Sequence, residues 1–181
     1  MNTRGAWQKE VNTALQDGLI RHKPVDYGFR LFGVVRRRTS DAVAADILRA
    51  YEDHLHHHPA PGALGHSFGT LAIGRSLQMY PDLKLNRIIL FGSILSPDYP
   101  WDRIHSNGQV EAVLNERSPS DVWPRITKYC IPDSGPSGVS GFTQGKAFIT
   151  DKEFQWTGHS GLQYELHCRR SWVPFLLGHS G

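Results

Sequence analysis

The stretch Leu64-Gly65-His66-Ser67-Phe68-Gly69-Thr70 constrains the fold more than any other, because it sets one serine between two glycines directly after a short apolar run. A Gly-x-Ser-x-Gly pattern suits a tight strand-to-helix turn in which the serine takes a strained backbone conformation and its neighbours must be small. The flanks agree. Pro61-Gly62-Ala63-Leu64 reads as a short entering strand, and residues 71–79 read as an amphipathic helix leaving the turn.

A turn of this kind belongs in an α/β protein, and the rest of the chain is patterned accordingly. Residues 6–19 carry apolar side chains at Ala6, Trp7, Val11, Ala14, Leu15 and Leu19, spaced as a helix. Residues 26–35 are aromatic and β-branched, which predicts a strand with a bulge at Gly28. Ser40 is a good N-cap for a second helix running to Leu55. Residues 85–95 are the most apolar run in the chain and predict a strand covered on both faces, as in a parallel sheet. Further strands are expected at residues 109–116, at Phe148-Ile149 and at residues 153–157, with a closing helix over residues 162–177 interrupted at Pro174. The expected fold is therefore one α/β domain spanning residues 1–181, with a mainly parallel sheet of about five strands flanked by helices.

Composition narrows the class. The chain is 39% hydrophobic and 10% aromatic over 181 residues, enough for a packed core and against disorder. No apolar run approaches the ~18 residues of a membrane span, and the polar start Met1-Asn2-Thr3-Arg4-Gly5 is unlike a signal peptide, so a cytoplasmic location is expected. Cys130 and Cys168 lack metal spacing and read as free thiols. The net charge of +3 is concentrated in Arg36-Arg37-Arg38 and Arg169-Arg170 without interleaved aromatics, which argues against a nucleic-acid partner. His54-Leu55-His56-His57-His58 ends a helix before Pro59 and reads as solvated rather than as a metal site; no metal and no cofactor are expected. The glycine-rich residues 134–142 read as a mobile turn.

A serine hydroxyl is a poor nucleophile until a base takes its proton and a third group orients that base. Asp121 and His159 each follow an expected strand, so with Ser67 they would gather at the carboxyl end of a parallel sheet. Asp98, Asp102 and Glu116 are the alternatives for the acid. His66 and His179 are weaker alternatives for the base, and His66 is expected to pack or to lie on the oxyanion side. The order Ser, acid, His is that of the α/β-hydrolase triad.

In these residues the chain resembles the α/β-hydrolase superfamily, and within it the bacterial lipase- or esterase-like members that carry His-Ser-Phe-Gly-Thr at the turn. The similarity runs through residues 65–70, 87–95, 113–116 with Asp121, and Gly158-His159-Ser160. It implies a serine esterase in which Ser67 is the nucleophile, His159 the general base and acid, and Asp121 the orienting acid. Phe68 would supply one oxyanion N–H. Members of the superfamily have an upstream strand ending in His-Gly, and Met1 to Trp7 resemble the residues just after it. The resemblance thus implies an N-terminally shortened hydrolase, with Asn2 or Thr3 as the place for a second oxyanion donor. Residues 97–108, with Tyr99 and Trp101, would wall an acyl pocket. The expected partner is a small-molecule ester; the second expectation is a hydrolase-like fold that binds without turnover.

Overall fold

The apolar run that begins at Leu85 forms the inner part of a wholly parallel four-stranded sheet in the computed structural model, which describes residues 6–18, 20–22, 24, 37–55, 61–155, 157–159 and 161–179. In chain order the elements are α1 (Ala6–Asp17), α2 (Arg37–Leu55), β1 (Ala63–His66), α3 (Phe68–Met79), β2 (Leu85–Phe91), α4 (Trp101–Ser106), β3 (Val110–Arg117), α5 (Trp123–Cys130), α6 (Ser137–Ser140) and β4 (Ile149–Glu153). Glu165–His167 (α7), a π-helical turn Cys168–Trp172 and Val173–Leu176 (α8) close the chain. The strands lie side by side in sequence order, and the register sets His66, Phe91 and Glu116 on one row. All four strands therefore deliver the chain at the same edge.

Successive strand residues point to opposite faces, and β2 is apolar on both. Ile88 and Leu90, with Val113 of β3, pack on Val43 and Tyr51 of α2, on α3 and on Trp101 and Ile104 of α4. Ile89, Phe91 and Leu114 pack the other way, on Val11, Ala14 and Leu15 of α1 and on Leu162, Cys168, Trp172 and Val173. Residues 88–91 are all at most 1% exposed, and each such side chain contributes roughly 1.5–3 kcal/mol of burial. This is the helix–sheet–helix layering that a continuous apolar run demands.

Three departures from the sequence-based expectation have local causes. Pro100 turns the chain into α4, a helix not anticipated within residues 97–108, because Trp101 and Ile104 form an apolar pair at helical spacing. The last strand is Ile149–Glu153 rather than two separate pieces, and Phe154 leaves it to pack against the second core. Residues 134–142 are not a free turn: Gly138 N–H donates to Ser93 O, Ser118 N–H donates to Gly138 O, and the Ser93 and Ser137 hydroxyls are 2.8 Å apart. The sheet has four strands among the described residues; the strand expected at residues 26–35 lies outside them.

Candidate active site

The turn from β1 into α3 is built around Ser67, which has φ 51° and ψ −118°, a region that non-glycine residues rarely occupy. Three hydrogen bonds hold it. Ser67 N–H donates to Phe91 O at the end of β2 (3.3 Å), while Thr70 N–H and the Thr70 hydroxyl both donate to Ser67 O (3.0 and 2.6 Å). Thr70 Oγ1 in turn accepts Ile94 N–H at 3.1 Å, tying the turn to the chain that leaves β2. A side chain at position 65 would crowd this turn, since a Cβ would stand 2.8 Å from Ile73 Cδ1 and 3.2 Å from the backbone of Gly69.

Asp121 comes after β3 in a turn closed by its own N–H on Ser118 O, and is 3% exposed. Its two oxygens have separate tasks. Oδ1 accepts Trp123 N–H at 3.0 Å, which satisfies a donor at the start of α5, and Oδ2 lies 2.7 Å from His159 Nδ1. A carboxylate only accepts, so Nδ1 of His159 donates, and in the neutral imidazole that leaves the lone pair on Nε2.

His159 comes after β4 and is half-buried. Its ring rests on Gly92, where a Cβ would come within 3.0 Å of Cε1 and Nδ1; the φ of +53° at that position also favours glycine. Ser67 and His159 thus both abut the corner formed by Phe91 and Gly92. The ring of Trp123 lies 6.2 Å from that of His159 on a third side.

His66 is tied to the same histidine. Its ring stacks on Phe91 at 4.6 Å and 15°, stands 4.7 Å from the His159 ring, and its Nε2 is 3.0 Å from the His159 carbonyl oxygen. Burial, reinforced by the nearby His159, pushes the His66 pKa down to about 4, so the ring is neutral and Nε2 donates.

Of the residues proposed from sequence, Asp121 and His159 are brought together and Ser67 stands at the same sheet edge. Phe68 opens α3 and is buried, as a residue leaving the turn should be. The alternative acids are engaged elsewhere: Asp98 accepts the Thr143 hydroxyl, Asp102 accepts Gly145 N–H, and Glu116 faces the C-terminal segment. Trp101 is not a pocket wall. It is fully buried, edge-on to Tyr99 (4.6 Å) and Phe142 (5.5 Å), because α4 turns its apolar face inward. Its neighbours Asp98 and Tyr99 instead line a cavity of about 460 Å³ together with Leu71, Arg75 and Ser134. Asn2 and Thr3 lie outside the described residues, as do His56, His57 and His58. Sequence reasoning passed over Gly92, Thr70 and Trp123; a glycine straight after the longest apolar strand was the available signal for the first.

Among the described residues no cluster of His, Cys, Asp or Glu is able to hold a metal ion, and no helix is long and apolar enough to cross a membrane. The fold and the site together define a parallel α/β protein with a strained serine turn and a histidine–aspartate pair at one sheet edge. No model of a known protein family matches the chain, and no curated protein matches it.

Proposed function

We propose that this protein is a serine hydrolase of the α/β-hydrolase kind that cleaves a carboxylic ester through an acyl-enzyme at Ser67. The observation that carries the reading is the 2.7 Å pairing of His159 Nδ1 with buried Asp121, with the imidazole seated on Gly92 beside the strained Ser67 turn.

On this reading the chemistry is that of acyl transfer. His159 Nε2 takes the Ser67 proton as Oγ bonds to the ester carbonyl carbon, and Asp121 stabilises the imidazolium that forms. The imidazolium returns the proton to the leaving alkoxide as the ester C–O bond breaks. Water then attacks the acyl-enzyme by the same route, releasing the acid and restoring Ser67. The Phe68 N–H at the start of α3 is the donor this reading assigns to the oxyanion.

A fluorophosphonate probe tests it, because such probes phosphonylate only an activated serine. Wild-type protein is expected to be labelled at Ser67 and Ser67→Ala is not. Folded wild-type protein that stays unlabelled overturns the hydrolase reading in favour of binding without turnover. A series of nitrophenyl esters of increasing acyl length then defines the substrate.

A further inference from the structure

Two side chains usually suffice to describe how a catalytic imidazole is held: the carboxylate at Nδ1 and whatever packs on the ring. Here the main chain of the same residue is also held, and by the residue that precedes the serine. His66 Nε2 meets the His159 carbonyl at 3.0 Å across 93 residues of chain. The donor is itself immobilised, since its ring lies flat on Phe91, which also meets the Trp172 ring at 4.8 Å. Trp172 is anchored by its Nε1–H on Glu116 at 2.8 Å.

We infer that His66 is a positioning residue for His159, its Nε2–H fixing the peptide that carries the base so that the turn bearing Ser67 also sets where the imidazole stands. This rests on the serine-hydrolase reading, which makes His159 the base. The consequence is geometric. Asp121 fixes the ring at Nδ1, Gly92 limits it from one side, and His66 fixes the backbone from which it projects. With those anchors the free Nε2 has little freedom left, and alignment of this kind is what converts a nearby base into an efficient one. Neutrality matters too. A second cation 4.7 Å from His159 would oppose the imidazolium formed in each half-reaction, and burial keeps His66 uncharged.

The test compares His66→Phe, which keeps a flat ring on Phe91 but removes the donor, with His66→Gln, whose amide N–H reaches about as far. In His66→Phe the rate of fluorophosphonate labelling and kcat on a nitrophenyl ester are expected to fall about tenfold or more with KM within about twofold, as loss of one aligning hydrogen bond implies. His66→Gln is expected to recover much of that loss. The second readout is the NMR signal of the His159 Nδ1 proton, which is expected to exchange with solvent faster in His66→Phe than in wild type. Wild-type rates and an unchanged Nδ1 proton in His66→Phe overturn the inference. Should His66→Phe fail to fold, His66→Gln against His66→Ala carries the same comparison. The NMR arm separates the two claims, because it reads the link between His66 and His159 even if Ser67 proves unreactive.

Discussion

His159 Nδ1 and Asp121 Oδ2 meet at 2.7 Å although 38 residues separate them, because β3 and β4 are parallel neighbours that release the chain at one edge, Arg117 in register with Glu153. The same aspartate also accepts Trp123 N–H, so its two oxygens are separable by mutation. Asp121→Asn can retain the backbone contact while losing the ability to hold the Nδ1–H tautomer. Ester turnover is expected to drop about 10³–10⁴-fold with the unfolding midpoint little changed. Asp121→Ala loses both contacts and is expected to be about 1 kcal/mol less stable as well. Urea titrations beside kinetic assays resolve the two effects, and full activity in Asp121→Asn would remove Asp121 from the mechanism.

The strained backbone of Ser67 makes a prediction in the opposite direction. A non-glycine residue held at such angles costs about 1–3 kcal/mol, part of which glycine would recover against its own larger folding entropy. Ser67→Gly is therefore expected to be inactive yet about 1 kcal/mol more stable, raising the melting temperature by roughly 2–4 °C. Ser67→Ala keeps the strain and gains nothing. Equal melting temperatures for the two variants would show that the turn stores no strain.

Burial of His66 couples stability to pH. Its folded pKa, about 4, lies below the 6.5 of an exposed imidazole, so the unfolded chain binds the extra proton between those values. Stability from this residue is complete above about pH 6.5 and is lost as pH falls toward 4, by an amount on the order of 3 kcal/mol. His159, which lowers the His66 pKa, and Asp121, which raises it, are the titratable neighbours that modulate it. Denaturant midpoints measured from pH 7 to pH 4.5 are expected to decline more steeply in wild type than in His66→Phe. Parallel curves would mean that His66 is protonated without penalty.

Much of this arrangement is legible in the residues themselves, where local pattern and burial agree. The run from Leu85 announces a strand covered on both faces, and Ile88 and Ile89 do point to opposite cores. Asp121 and His159 are legible because a parallel sheet gathers at one edge the residues that leave its strands. Trp101 misleads: an aromatic after a strand suits a pocket wall, and only the packing of Ile104 beside it shows that both belong to the core. The alternation in residues 153–157 likewise suggests a strand, but Phe154 turns away to the second core. The bond from His66 to the His159 carbonyl has no sequence signature at all, since a side chain on main chain 93 residues away leaves no pattern.

Glu116 gives a prediction that concerns the C-terminal segment. Its carboxylate is fully buried and accepts from His167 Nε2 (2.9 Å), Ser171 Oγ (3.0 Å) and Trp172 Nε1 (2.8 Å). The π-helical turn makes this possible: by widening the coil it brings residues at i, i+4 and i+5 onto one acceptor. Glu116→Ala leaves three donors facing an empty space and is expected to destabilise the protein by about 3–5 kcal/mol. Glu116→Gln preserves one acceptor oxygen but turns an N–H toward a donor, so a smaller loss of about 1–3 kcal/mol is expected. Cys168 offers an independent reading of the same segment, because burial, with the Glu116 charge adding to it, pushes the thiol pKa up to about 12 and leaves little reactive thiolate. In a Cys130→Ser background, Cys168 is expected to resist iodoacetamide in otherwise wild-type protein and to react faster in Glu116→Ala as the turn opens. Unchanged alkylation together with an unchanged urea midpoint would show that the three bonds to Glu116 do not hold the C-terminal segment to the sheet.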